Sequence, residues 1–391
     1  MTKKIVLAYS GGLDTSVAIR WLKEKGFDVI ACLVDVGQKA DFQKAKVKAR
    51  KIGASNVYVI DAKNNLINDF IFPALKANAV YEGKYFLATA LSRPLIAKVL
   101  AEVAKKEKAK FVGHGCTGKG NDQVRIEVSL SALAKGLKVI APVRVWDFAS
   151  REAQIRYAKT HNISVTATKK SPYSFDENLW GISIECGVLE NPDTEPPEDA
   201  YQITTDPVKA PKKPVYVTIG LEKGEPYSIN GKRLTPIALI NRLNIIGALH
   251  GIGRSDMVEN RLVGIKSREI YEAPAAYILH TAHKELEALV LDRELLHFKD
   301  IVALKYSELI YNGLWYSRLR EALDKFIGDT QKNVTGDVRL KLYKGTCSVV
   351  GRSSKFSLYN EKLATYTEED KFDHTAAEGF IKVWGLPYEK R

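Results

Sequence analysis

Ile5-Val6-Leu7-Ala8-Tyr9-Ser10-Gly11-Gly12-Leu13-Asp14-Thr15-Ser16 is the stretch that decides the fold. The apolar run Ile5–Ala8 reads as a buried strand. Residues 14–25 follow as an amphipathic helix, with Val17, Ile19, Trp21 and Leu22 among its apolar positions. A glycine-rich turn between strand and helix aims backbone N–H groups and a helix N-terminus at one point, which makes an anion site. Gly11 and Gly12 supply conformational freedom and room for a phosphate. Ser10, Thr15 and Ser16 add hydroxyls, and Asp14 is placed to cap the helix or to reach a magnesium ion. An ordinary strand-to-helix turn with a Ser/Asp cap is the plain alternative.

The turn lacks the Gly-Lys-Ser/Thr ending of a Walker A loop. Its spacing, Ser-Gly-Gly-x-Asp-Thr-Ser, instead resembles the pyrophosphate-binding loop of the ATP pyrophosphatases. That resemblance implies cleavage of ATP between the α and β phosphates, with AMP passing to a substrate.

Around this loop the first 165 residues alternate. Strands are expected at 4–9, 28–34, 56–60, 110–113 and 138–143, and helices at 14–25, 41–52, 87–106, 122–135 and 150–160. The pattern predicts an α/β domain: a doubly wound parallel sheet with helices on both faces. Ligands then bind beyond the carboxyl ends of the strands. The turns at Ser10-Gly11-Gly12 and at 113–121 fall there.

Composition changes near residue 165. The stretch 190–214 is rich in proline and acid and reads as a loop. A strand at 215–220, a helix at 236–249, long helices across 275–328 and a strand-rich part at 337–359 follow without clean alternation. The expected division is a nucleotide-binding domain over 1–165, a second α+β domain over 166–366 and a C-terminal helical tail over 367–391. In the tail, positions 377, 380, 381 and 384 share one helical face. That face either packs on its own domain or docks on another subunit.

The 391 residues are 45% hydrophobic and 27% charged, as in soluble globular proteins. The N-terminus enters a strand with no signal-peptide pattern, and no apolar run reaches membrane-spanning length. The four cysteines are scattered without metal-ligand spacing, so a reduced cytoplasm is expected. A net charge of +13 raises nucleic acid as a partner. Many of the lysines lie in mixed helical stretches such as 39–51, and they read as a solvated face.

Residues 111–125, Phe-Val-Gly-His-Gly-Cys-Thr-Gly-Lys-Gly-Asn-Asp-Gln-Val-Arg, form a second glycine-rich segment. Gly113, Gly115 and Gly118 fit the dinucleotide pattern GxGxxG, but no acid follows at 136–143 to hold a ribose. The same run fails as a Walker A because Gly120 replaces the Ser/Thr. A binding turn leading into a polar helix start fits better. Asn121, Asp122 and Arg125 are neighbours on that helix and can grip an amino acid's ammonium and carboxylate. Plain capping by Asn121 or Asp122 is the competing reading. His114 contacts phosphate, orients the backbone or is merely packed.

With both loops in place, the chain resembles the argininosuccinate synthase family. The motifs that carry the likeness are Ala8–Ser16, Asp35-Val-Gly-Gln38, Tyr81-Glu-Gly-Lys-Tyr85, Gly113–Asp122, Asp176-Glu-Asn178 and Val258-Glu-Asn-Arg261. The resemblance implies that Ala8, Tyr9, Ser10, Gly11, Gly12, Leu13, Asp14, Thr15, Ser16, Val34 and Gly115 hold ATP. It implies aspartate at Thr117, Asn121 and Asp122. It implies citrulline at Tyr85, Asn121, Arg125, Ser174, Ser183, Glu259 and Tyr271. Ser10, Asp14 and Asp122 are the implied catalytic residues; magnesium accompanies ATP, and no metal-ligand set of the protein's own is implied. The implied partners are these small molecules, with no nucleic acid or membrane, and the implied assembly is a homotetramer. One departure matters. Family members commonly place a serine where this chain has Ala90, and the neighbouring Thr89 is the residue that can compensate.

Two rivals are weaker. A synthetase that amidates with glutamine-derived ammonia commonly brings a glutaminase domain led by cysteine, and no cysteine lies at this N-terminus. An RNA-modifying protein commonly carries CxxC pairs, which are absent here.

Overall fold

The computed structural model describes residues 3–148, 150–164 and 172–389. The expected domain boundary at 165 lies outside these residues.

The N-terminal part is built on five parallel strands: β1 (Lys3–Ala8), β2 (Phe27–Asp35), β3 (Asn56–Asp61), β4 (Phe111–Gly113) and β5 (Lys138–Ile140). Their order is β3-β2-β1-β4-β5. The chain reverses direction across the sheet between β1 and β4, and a crevice opens at such a switch point. Both glycine-rich turns leave the sheet there.

Strand periodicity explains the two helical layers. Ile5, Leu7, Val29, Ala31 and Leu33 point to one face, where they pack with Val17, Ile19 and Leu22 of α1 (Leu13–Glu24) and Ala158 of α5 (Arg151–Thr160). Val6, Ile30 and Cys32 point to the other face, towards Leu91, Leu95 and Val99 of α3 (Ala88–Glu107) and Ile126 of α4 (Asn121–Leu133). The remaining long helix of this part is α2 (Phe42–Ile52). β5 ends three residues earlier than expected because Pro142, which has no N–H to donate, opens a short helical turn. A helical segment running from Lys63 to Lys76, with a wide-turn stretch over Leu66–Ile71, was not expected from sequence.

The second part holds two antiparallel sheets. One has the order β10-β9-β8-β13-β14, from β8 (Val215–Glu222), β9 (Glu225–Ile229), β10 (Lys232–Arg233), β13 (Gly336–Tyr343) and β14 (Thr346–Ser353). The other has the order β11-β12-β7-β6, from β6 (Ser174–Asn178), β7 (Gly181–Glu185), β11 (Arg254–Asn260) and β12 (Lys266–Glu272). Helices α6 (Pro236–Leu249), α7 (Pro274–Val290), α8 (Arg293–Tyr311) and α9 (Arg318–Thr330) pack with them. A single apolar cluster runs from Val6 and Leu91 to Leu239, Ile278 and Leu340, so both parts share a core. The tail forms α10 (His374–Gly385), capped by Asp373, and none of its residues is buried. No helix among the described residues is long and apolar enough to cross a membrane.

Candidate functional site

The first loop leaves β1 and enters α1 with no side-chain cap on the helix. Its leading N–H groups therefore remain open to an anion. Gly11 has a φ of +82°, and a Cβ there would also lie 3.2 Å from Ala45 of α2. Gly12 adopts an ordinary φ of −69°, so the expected need for unusual angles holds at Gly11 alone. The loop is braced internally: the Ser10 and Thr15 hydroxyls lie 3.1 Å apart, and Tyr9 Oη lies 3.2 Å from Ser16 Oγ. Lys48 of α2 donates to the Gly11 carbonyl at 2.9 Å. Asp14 is exposed at the helix start and makes no hydrogen bond or ion pair among the described residues.

A cavity of about 510 Å³ opens against this loop. Ala8, Tyr9, Ser10, Thr15, Val34 and Gly115 line it, together with Gln38, Arg93, Ile96, His114 and Asp176. Gly11, Gly12, Leu13, Asp14 and Ser16 lie in the loop without lining the cavity. The two glycine-rich turns approach closely: a Cβ on Gly115 would meet the Thr15 methyl at 3.0 Å. His114 is committed to its own turn. Its Nδ1 accepts from the Cys116 N–H at 3.2 Å, and its Nε2 faces Glu127 at 3.0 Å. The orienting role is thus the one this geometry favours, with the proton on Nε2. Burial holds the His114 imidazole below its usual pKa, against the pull of Glu127.

A second, smaller cavity of about 110 Å³ is lined by Tyr85, Thr89, Thr117, Asn121, Asp122, Arg125, Ser183, Glu259 and Tyr271, with Asp176, Glu185, Arg261 and Glu269. Its floor is the β11-β12-β7-β6 sheet. Register places Asp176 opposite Ser183, and Ser183 opposite Tyr271, in one row. Ser174 lies two residues from Asp176 on the same face, opposite Glu185, but is exposed and lines neither cavity.

The start of α3 forms the opposite wall. Leu87 precedes the helix with a φ of +62°, a left-handed conformation that a leucine adopts at a cost of about 1 kcal/mol. Two contacts hold the segment in place: Trp180 Nε1 donates to the Phe86 carbonyl and Asn178 Nδ2 to the Ala88 carbonyl. The Tyr85 hydroxyl then accepts from the N–H groups of Thr89 (3.0 Å) and Ala90 (3.2 Å). It caps the helix and keeps its own proton for a ligand. Among the described residues, the buried Thr89 Oγ1 and Arg125 Nη2 have no hydrogen-bond partner. Leaving such groups unpaired costs about 1–3 kcal/mol each, which a ligand in this cavity would recover.

Arg93 joins the two cavities. It donates to Asp122 at 2.7 Å and also pairs with Asp176, which lines both spaces. Burial pushes the Asp122 carboxyl up, but Arg93 and Arg125 outweigh it and hold Asp122 below the usual range. Asp176 is raised, by burial and by Asp122 beside it. Asn121 and Arg125 are fixed from behind by α8: Asn121 Nδ2 donates to Tyr311 Oη at 2.8 Å, and Arg125 Nε to the Tyr311 carbonyl at 2.9 Å.

Sequence reasoning missed Arg93, Glu185, Glu269 and Tyr311, and gave Asp176 and Arg261 no role although both lie in quoted motifs. The proximity of Arg93 to the Tyr85–Thr89 segment was the available signal. Glu269 and Tyr311 carried none, because strand register and helix packing alone bring them in. Among the described residues, no group of three or more His, Cys, Asp or Glu side chains is arranged to hold a metal.

This chain matches two family models, the arginosuccinate synthase N-terminal HUP domain over residues 4–164 and the arginosuccinate synthase C-terminal domain over 173–391. It is 57% identical over 385 residues to the argininosuccinate synthase of Chlorobium luteolum, covering 98% of this chain and 96% of that one. It is 59% identical over 384 residues to the argininosuccinate synthase of Geobacillus kaustophilus, covering 98% and 94%. The chain belongs to the argininosuccinate synthase family.

Proposed function

We propose that the two cavities carry out the reaction ATP + citrulline + aspartate → argininosuccinate + AMP + pyrophosphate by way of citrullyl-AMP. The observation that supports this most is the adjacency of a phosphate-binding turn and an amino-acid-sized polar pocket across the shared Asp176 and the Arg93–Asp122 pair. The ureido oxygen of citrulline attacks the α phosphorus and pyrophosphate leaves. The amine of aspartate then attacks the ureido carbon, and AMP leaves. Open N–H groups at the start of α1 stabilise charge on the departing pyrophosphate. Arg125 Nη2 and the Tyr85 and Thr89 hydroxyls bind and orient citrulline, and Glu259 takes its ammonium. Thr117, Asn121 and Asp122 hold aspartate. A phosphate oxygen of the adenylate takes the proton released by aspartate's amine.

Magnesium fits this arrangement as a partner of ATP. Asp14, exposed at the start of α1 with no ion-pair partner among the described residues, would hold it together with the substrate's phosphates, whose charge it would offset.

The same reading divides the chain at 165 and 366, with the tail as an oligomerisation element in a cytoplasmic homotetramer. In α10, Phe380 stacks on Trp384 and both are exposed, as is Ile381. Light scattering on the full chain and on a chain ending at residue 372 tests the assembly: loss of the tetramer on truncation supports it, and a full-chain monomer overturns it.

The decisive experiment measures AMP and pyrophosphate release while citrulline or aspartate is omitted in turn. Release that requires citrulline, with argininosuccinate formed only when both are present, supports the assignment. Absence of release above background with all substrates present overturns it.

A further inference from the structure

Five carboxylates line the 110 Å³ cavity: Asp122, Asp176, Glu185, Glu259 and Glu269. Asp122 and Asp176 are served by Arg93 and Arg125. Among the described residues, the other three have one ion-pair partner, Arg261. Its Nη2 donates to Glu185 at 2.5 Å and to Glu269 Oε1 at 2.6 Å, so a single guanidinium serves two acids. Glu259 and Glu269 meet through one hydroxyl. Tyr271 Oη lies 2.6 Å from Glu259 Oε2 and 2.9 Å from Glu269 Oε2.

Counting protons identifies the occupant of the longer contact. Tyr311 Oη accepts from Asn121 Nδ2, so its proton is directed to Glu259 Oε1 at 2.7 Å. Glu259 therefore receives one hydroxyl donor at Oε1 and, by the shorter contact, the Tyr271 proton at Oε2. That satisfies an ionised carboxylate. Tyr271 has then spent its only proton. Its remaining contact to Glu269 Oε2 brings two oxygens to hydrogen-bonding distance with no hydrogen between them, unless Glu269 supplies one.

We propose that the oxygens of Glu259, Tyr271 and Glu269 hold one proton beyond the tyrosine's own, that it resides on Glu269, and that it leaves when a substrate ammonium occupies the cavity. Glu269 is a positioning residue. While protonated it holds the Tyr271 hydroxyl turned to Glu259 and keeps the empty pocket from repelling itself. An arriving ammonium brings the positive charge that lets Glu269 ionise, so one proton goes to solvent for each ammonium bound. The groups facing Glu269 are Glu259 from β11, Glu185 and Cys186 at the end of β7, Tyr271 on its own strand, and Arg261 from the turn after β11; Asp122, Arg125 and Tyr311 stand across the cavity. Burial, then Glu259 and Glu185, push the Glu269 carboxyl up to about 8, against the pull of Arg261. That citrulline is the ammonium carrier rests on the proposed function; the proton itself does not.

Two measurements on the whole protein test this. In the ligand-free protein, infrared pH titration should show a protonated-carboxyl C=O band at pH 7 that titrates near 8 and is missing from Glu269→Gln. No such band in the wild type, or the same band in Glu269→Gln, overturns the proposal. In calorimetry with citrulline at pH 7, run in buffers of different ionisation enthalpy, the wild type should release close to one proton per ligand. Glu269→Gln should bind without release. Citrulline bound by the wild type with no proton released overturns the coupling. Failure of the wild type to bind citrulline removes the substrate assignment instead, and the infrared titration still decides the proton. Both wild-type measurements hold whether or not Glu269→Gln folds.

Discussion

Arg93 donates to Asp122 across 2.7 Å, and this ion pair stands at the boundary between the two cavities. The same guanidinium pairs with Asp176, so two carboxylates from separate parts of the chain meet on one charge. Replacing Arg93 with alanine leaves the part-exposed Asp176 without its ion-pair partner and Asp122 with Arg125 alone. The expected loss of stability is about 1 kcal/mol. Activity should fall in Arg93→Lys as well, because an ammonium cannot hold the two carboxylates on one nitrogen and the Ser92 hydroxyl on another. Thermal unfolding together with product formation checks both outcomes; a lysine variant with unchanged kinetics would refute the bridging role.

Thr89→Val keeps the shape of the side chain and removes the unpartnered hydroxyl. A hydrogen bond to ligand lost in this way is worth about 1.4 kcal/mol, so the KM for citrulline should rise about tenfold. The KM for ATP should stay unchanged. Ala90→Ser adds a second hydroxyl beside it, and steady-state kinetics should show that it lowers the citrulline KM of the Thr89→Val variant.

Gly11→Ala places a side chain at a φ of +82° and 3.2 Å from Ala45. A destabilisation of about 1 kcal/mol is expected from the backbone alone. Displacement of the loop should raise the KM for ATP more than that for either amino acid. Gly12→Ala, at an ordinary backbone angle, should be milder in thermal unfolding.

His114 accepts the Cys116 N–H and must be neutral to do so. Burial depresses its folded pKa, so the unfolded chain takes up the proton first. The stabilisation is therefore complete above the unfolded value of about 6.5 and is lost as pH falls below it. The KM for ATP should rise over the same range. His114→Asn retains an acceptor for the turn but does not titrate there. Kinetics from pH 5 to 8 should show that this variant lacks the rise.

The parallel sheet and its loops were legible because their signals are local. A strand, a glycine pair and a helix start occur within one short window, and the unbroken burial of Ile5, Val6 and Leu7 follows from the apolar run. Asn121 and Arg125 were found first through helix spacing and Tyr85 and Thr89 through family likeness, and the structure brings them around one cavity. Glu269 escaped because only the β11–β12 register turns it towards Glu259 and Arg261, and Tyr311 escaped because its role depends on distant partners. Tyr311 lies 190 residues from Asn121, and no sequence period encodes that contact. The strands of residues 174–185 and 254–272 were missed for a related reason. Polar residues lining the cavity, such as Asp176, Ser183, Glu259 and Glu269, break the alternation by which a half-buried strand is recognised.

Thr89, Arg93 and Ile96 sit four and three residues apart on α3, along one side of the helix. Thr89 borders the smaller cavity, Arg93 the boundary and Ile96 the larger cavity. The helix is thus a measuring rod. Seven residues of backbone hydrogen bonds set about 10 Å between Thr89 and Ile96 along the helix axis. Inserting one alanine between Thr89 and Ile96 would turn the far mark by about 100° and lengthen the rod by about 1.5 Å. Each ligand would keep its own grip, but the reacting oxygen and phosphorus would no longer meet.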